Sequence, residues 1–229
     1  MDTLSLLALG LGAAWASGIN LYATILVLGG LGASGVVGLP GDLTVLEHPA
    51  VLVVAGALYV VEFVADKIPG VDSLWDALHT VIRVPAGALL AAGVAREWGA
   101  EYEVVAALLA GGALAAASHA TKASGRVAIN ASPEPFSNWA VSLFEDVLVI
   151  GSIILALFMP ALFLTLLGGF VLLAIWLLPK LWRALRRLFG SFGERRGGGD
   201  EAAARTGLDL DFGSLPERND GPLPPPKGP

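Results

Sequence analysis

EFVADKIPGVDSLWDALHTVIR, residues 62–83, decides how this chain is read. Pro69 and Gly70 divide it, because proline cannot continue a helix and glycine readily forms the turn. Before the break, Glu62 and Asp66 stand four apart and so share one helical face. After it, Asp72, Asp76, His79 and Arg83 recur at i, i+4, i+7 and i+11 and draw one polar stripe, while Leu74, Trp75, Leu78, Val81 and Ile82 cover the rest. The segments on either side are apolar enough to live in a bilayer. Ionisable groups are costly there, so such a stripe points to a functional site. The competing reading is a helix lying flat on the membrane with its polar side in water.

Composition supports a membrane protein. Of 229 residues, 55% are hydrophobic and only 15% charged, with a mean hydropathy of +0.71; soluble domains carry about 25% charged residues. With no cysteine, disulfides, thiolate metal sites and thiol catalysis are excluded. The net charge of -6 is spread over both parts of the chain: seven acids against five bases from Gly190 onward, thirteen against nine before it. Neither part is basic enough for nucleic acid. The amino terminus lacks the basic region of a signal peptide, so an uncleaved first span is expected.

A bilayer core of ~30 Å asks for about 20 mostly apolar residues per helix. Six spans are expected: residues 4–31, interrupted at Ser17-Gly18-Ile19-Asn20; 49–68, opened and closed by Pro49 and Pro69; a helix capped by Asp72 or Ser73, with Asp76 as capping-box partner, running through Pro85 to about Ala95; 104–118; about 138–159; and 161–178, closed by Pro179. Between the fourth and fifth lies HATKASGRVAINASPEPFSNW, residues 119–139, which reads as a polar loop stopped by Pro133 and Pro135. The fold class is therefore all-α, a transmembrane bundle over residues 1–179. A basic amphipathic helix at the membrane surface (180–189) and a disordered tail rich in Gly, Pro and charge (190–229) complete the chain. The main rival is five spans with a re-entrant segment.

The bases orient the bundle. Lys180, Arg183, Arg186 and Arg187 place that end in the cytoplasm, and six spans then bring the amino terminus to the same side of the plasma membrane. Lys67, Lys122 and Arg126 fall in inner loops, whereas Asp42, Glu47, Glu97, Glu101 and Glu103 fall outside with Arg96. Both polar hairpins thus share the cytoplasmic side. The second carries Asn138, Ser142 and Glu145 at i, i+4 and i+7, with Asp146 alongside. Paired carboxylates at that depth repel each other unless a cation, a proton, Arg83 or Lys122 compensates.

Five runs carry a resemblance: GINLYATILVLGGLG (18–32), GLPGDL (38–43), VEFVADKIPGVDSLWDALHTVIRVPAGALL (61–90), SHATKASGRVAINASPEPFSNW (118–139) and EDVLV (145–149). Together they resemble the bacterial membrane family catalogued as domain of unknown function 4126, across most of residues 18–178. The resemblance implies a multi-pass membrane protein and assigns it no activity.

The residues themselves point to a small secondary transporter or permease. Asn20, Glu62, Asp66, Asp76, His79, Arg83, Lys122, Glu145 and Asp146 form its site: Glu62, Asp66, Glu145 and Asp146 for a cation or proton, Asp76 and His79 as relay, Arg83 and Lys122 as counter-charges. The alternative is a scaffold or anionic-headgroup binder in which Lys67, Arg83, Lys122 and Arg126 hold phosphate, with the basic helix at Lys180 on anionic lipid. Neither reading needs a cofactor, a metal, a nucleic acid or enzymatic chemistry, and both leave a homo-oligomer open.

Overall fold

The computed structural model describes residues 1–68, 70–130 and 135–205, the side chains of Ala128, Pro135 and residues 184–205 excepted. Every regular element among them is helical: α1 Thr3–Ala33, a 3-10 turn Gly41–Glu47, α2 Pro49–Ala65, α3 Val71–Ala95, a short 3-10 turn Arg96–Trp98, α4 Glu101–Asn130, α5 Pro135–Phe158 and α6 Pro160–Arg205. Met1–Leu181 forms one compact unit; the described backbone of the second, from Trp182, is helical to Arg205.

Local chemistry sets the helix starts. Asp2 caps α1 by accepting from the Ser5 amide at 2.8 Å, and Ser5 holds its carboxyl below the ordinary range. Pro49 opens α2, where a missing N–H costs little, and His48 Nδ1 accepts from Ala50 N. The cap expected at Asp72 or Ser73 lies earlier, at Gly70, whose φ of +87° suits glycine. Asp72 sits inside the first turn and folds back, its Oδ1 accepting from the amides of Gly70 and Ser73. Asp76 takes no part in a capping box; it pairs with Arg83.

α1 is broken at Asn20 (φ -145°, ψ 98°), where the sequence placed an interruption. The break does more than kink a span. Straight, 31 residues would reach about 46 Å, yet Met1 and Leu6 line the same cavity of about 260 Å³ as Gly38, Leu39, Pro40 and Gly41. Five residues from Ala33 to Gly38 bridge at most about 18 Å. The two halves of α1 therefore fold back on each other. Gly10 packs on Val94, and Gly29 packs on Leu46 and Leu52, at one end of the bundle; Asn20 is the tip, in its interior. The expected first crossing is thus a re-entrant hairpin, missed because its two apolar halves read as one continuous run.

By length and composition α1, α3, α4, α5 and α6 qualify as spans, and the turn Gly41–Glu47 with α2, bent by 65°, makes a sixth. With α1 folded back, the turn with α2, and α3, α4, α5 and α6, remain as five candidate spans. Small residues let them approach closely. A Cβ on Gly18 would fall 2.3 Å from the Ala115 carbonyl, and one on Gly87 or Gly111 would fall 2.5 Å from Ala115 or Ala91 Cβ respectively.

α3 shows what the exterior is. Its polar stripe is turned inward, with Asp72, Asp76, His79 and Arg83 between 0% and 7% exposed, while Leu74, Leu78 and Val81 are 62–77% exposed. That arrangement buries charge and presents hydrocarbon, as a lipid environment demands. The stripe is buried rather than solvated, so α3 is no surface helix.

Two other boundaries differ from expectation. Residues 119–130, expected as loop, continue α4 to Asn130; His119, Lys122, Arg126 and Asn130 fall at i, i+3, i+7 and i+11, so their polarity marks a helical face. Pro133 lies outside the described residues, whereas Pro135 opens α5. α6 passes through Pro179 to Arg205, because one proline costs a single hydrogen bond and the EAAAR run favours helix. Of the tail expected to be disordered, residues 206–229 lie outside the described residues.

Candidate functional site

The hairpin tip meets α2, α3, α4 and α5 at a buried ion-pair network. α2 brings Glu62 and Asp66, α3 Asp76 and Arg83, α4 Lys122 and Arg126, and α5 Glu145. Arg83 donates to Glu62 Oε1 at 2.6 Å and to Asp76 Oδ1 at 2.9 Å. Arg126 donates to Glu145 Oε2 at 2.5 Å, to Asp66 Oδ2 at 3.2 Å and to the Asp66 carbonyl at 2.9 Å. Lys122 stands between them, its Nζ 3.1 Å from Asp66 Oδ2, 3.4 Å from Glu62 Oε1 and 3.5 Å from both Asp76 Oδ1 and Glu145 Oε2. Every one of these side chains is at most 11% exposed. The two polar stretches separated in sequence are one site in space.

The tip is built around Asn20. As the cap of the second half-helix it takes extended backbone angles, and its Oδ1 accepts from Ala23 N at 2.9 Å. Its Nδ2 donates to Asp146 Oδ1 at 3.0 Å. The first half-helix ends at Ile19, whose carbonyl accepts from Lys122 Nζ at 3.1 Å. A cation thus meets the negative end of one half-helix and a carboxylate the positive end of the other, the favourable sense for both dipoles.

Two histidines flank the network in defined tautomers. The Trp75 carbonyl can only accept, so His79 Nδ1 carries the proton it donates there (2.8 Å), and in the neutral ring Nε2 accepts from the Tyr22 hydroxyl (3.0 Å). Arg83 can only donate, so His119 Nδ1 accepts from it (3.2 Å) and Nε2–H donates to Thr80 Oγ1 (2.7 Å). Thr80 in turn donates to the Asp76 carbonyl. Below this layer Asn130 donates to both Asp72 oxygens and accepts from Asn138.

Charge in the network does not balance. Four carboxylates, Glu62, Asp66, Asp76 and Glu145, face three cations, Arg83, Lys122 and Arg126, a surplus of one negative charge when all are ionised. Glu62 Oε2, Asp66 Oδ1 and Asp76 Oδ2 are buried without a hydrogen-bond partner among the described residues. Unpaired buried oxygens of this kind are expensive, and a bound proton or cation relieves them. Among the described residues no three His, Cys, Asp or Glu side chains take metal-site geometry.

All nine residues expected at the ion site lie at or beside this cluster. Of those expected at lipid phosphate, Arg126 is instead fully buried in ion pairs, because α4 continues as a helix and turns it inward. Lys67 is half-buried, over the Phe63 ring and donating to the Phe63 carbonyl and Ser142 Oγ; burial pulls its ammonium below the ordinary value, against the pull of Asp146 and Asp66. Lys180 lies over the Trp176 ring, Arg183 is exposed, and the side chains of Arg186 and Arg187 lie outside the described residues. Sequence reasoning passed over Tyr22, Thr80, His119 and Asn130 as members; the signals were the helical period of His119 to Asn130 and the place of Tyr22 two residues beyond the break.

No curated protein and no solved structure matches the chain. The family described as Domain of unknown function (DUF4126) matches it over residues 7–180, which takes in the hairpin, the network and the spans through α6, and this multi-pass membrane chain belongs to that family.

Proposed function

We propose that the chain is a small secondary transporter for a cation or proton, with the network at the hairpin tip as its binding site. The surplus carboxylate carries this reading: in an apolar bundle a fixed uncompensated charge is costly, and a site that is one positive charge short is a site for one. Broken half-helices meeting mid-bundle are how transporters place backbone dipoles around an ion. Asp76, bonded to Arg83, and His79, bonded to Tyr22, form the relay. Lys122 and Arg83 are the counter-charges.

The headgroup-binding alternative needs Arg83, Lys122 and Arg126 at a surface, and these are 0–6% exposed. In the bilayer, the end bearing Lys67 and Lys180 faces the cytoplasm. The amino terminus then lies on the opposite, acidic side with Asp42, Glu97 and Glu103. That orientation replaces the one with both termini inside, which rested on six crossings.

The test is flux in proteoliposomes. Wild-type protein should move protons or alkali cations down an imposed gradient, and Glu145→Gln and Asp76→Asn should each lose most of that flux. Undiminished flux in both variants removes those residues from the site; no flux of any of these ions through the wild type removes the transport reading.

A further inference from the structure

Lys122 is surrounded by more oxygens than an ammonium can satisfy. Five acceptors face Nζ: the Ile19 carbonyl and Asp66 Oδ2 at 3.1 Å, Glu62 Oε1 at 3.4 Å, and Asp76 Oδ1 and Glu145 Oε2 at 3.5 Å. An ammonium has three N–H donors. Charge-assisted N–H···O bonds are ordinarily about 2.7–2.9 Å, so every one of these contacts is long. Arg83 and Arg126, by contrast, hold their nearest carboxylates at 2.6 and 2.5 Å. The two guanidiniums are fixed parts of the frame. The lysine, on a flexible stem, is the loosely held cation at its centre.

The oxygens come from four helices, and the backbone one is the free carbonyl that ends the first half of α1. Three of the four carboxylates also carry a buried oxygen without a partner among the described residues, Glu62 and Asp76 being 0% and 2% exposed. Distances of 3.1–3.5 Å are too long for magnesium at about 2.0–2.1 Å or calcium at about 2.3–2.6 Å. They leave room for a large monovalent ion.

We propose that the Lys122 ammonium is a tethered occupant of a monovalent-cation site formed by the Ile19 carbonyl and the carboxylates of Glu62, Asp66, Asp76 and Glu145, and that a free cation of ammonium or potassium size takes its place when the side chain withdraws. This deepens the transport reading and rests on it for its physiological meaning. Lysine and free ion then compete for one cage, which is never left empty of positive charge, and the network's surplus of one negative charge is the same with either in place. Removing the lysine should create a requirement for the free ion.

The experiment is chemical rescue, read by thermal unfolding in detergent. Lys122→Ala should melt below wild type in choline chloride. Ammonium or methylammonium chloride at equal ionic strength should raise its Tm by several degrees, potassium less and sodium least, while wild type shows no difference among the salts. Adding Asp66→Asn should abolish the rescue. An equal response to ammonium and choline, or rescue that persists with Asp66→Asn, overturns the proposal. If Lys122→Ala does not accumulate, Lys122→Gln, which keeps a stem and N–H donors without charge, is read by the same criteria. Flux separates the two ideas: wild-type flux with an unresponsive Lys122 variant sinks the cage and spares the transporter. A rescued variant of a protein without flux does the reverse.

Discussion

Arg126 holds Asp66 through both its carboxylate and its carbonyl and Glu145 through a 2.5 Å bond, with none of its own surface exposed. Breaking a buried pair by removing one partner costs about 3–5 kcal/mol, because the other charge stays behind in low dielectric. Which partner is removed should matter here. Arg126→Gln takes the ion-paired set from one surplus negative charge to two, whereas Glu145→Gln takes it to none. Denaturation of the two variants in detergent should therefore show a loss of about that size for Arg126→Gln and a clearly smaller one for Glu145→Gln; equal losses would mean that the surplus is already neutralised by a bound proton or ion. At this scale the sequence was informative wherever charge interrupted an apolar run. Asp72, Asp76, His79 and Arg83 announced their common face by spacing, and Asn20 its break by its neighbours Ser17 and Gly18. Arg126 was harder to place, since nothing local says whether a basic residue after a span points to headgroups or back into protein.

The helices fit because particular side chains are missing. At Gly18 of α1 an added Cβ would sit 2.0 Å from Ser118 Oγ and 2.3 Å from the Ala115 carbonyl of α4; at Gly169 of α6 it would meet nothing within 4 Å. The first clash involves backbone, which cannot swing away. Overpacking typically costs about 1–3 kcal/mol, and it would also push the hairpin tip off the Ile19–Lys122 contact. Gly18→Ala should lower Tm by several degrees, with Gly169→Ala as a silent control; similar melting of the two would show that α1 and α4 are not so close. Element limits were legible where proline or glycine punctuates the chain, at Pro49 and Gly70; Pro135, read as closing a loop, opens α5 instead. They were illegible where polarity was taken for loop: residues 119–130 are polar because one face of α4 lines the network, and a helix that carries a site on one side looks locally like the end of a span. The opposite error hid the hairpin, whose two halves are both apolar and joined by a single non-helical residue.

Within Met1–Leu181 hydrocarbon lies outside and ion pairs inside, around a helical hairpin that enters and leaves by the same end. That topology can be checked directly because the native chain has no cysteine. Ser34 is exposed just beyond α1. A Ser34→Cys label and an amino-terminal epitope tag should be reached from the same side of the membrane, and an Ile68→Cys label from the other; a tag and Ser34 label on opposite sides would make α1 a crossing after all. The hairpin also has a consequence for synthesis. The groups that satisfy its tip, Lys122 and Asp146, are translated more than a hundred residues later. The hairpin is therefore made well before the helices that receive its tip, and until α4 and α5 have emerged that tip has no lining to dip into.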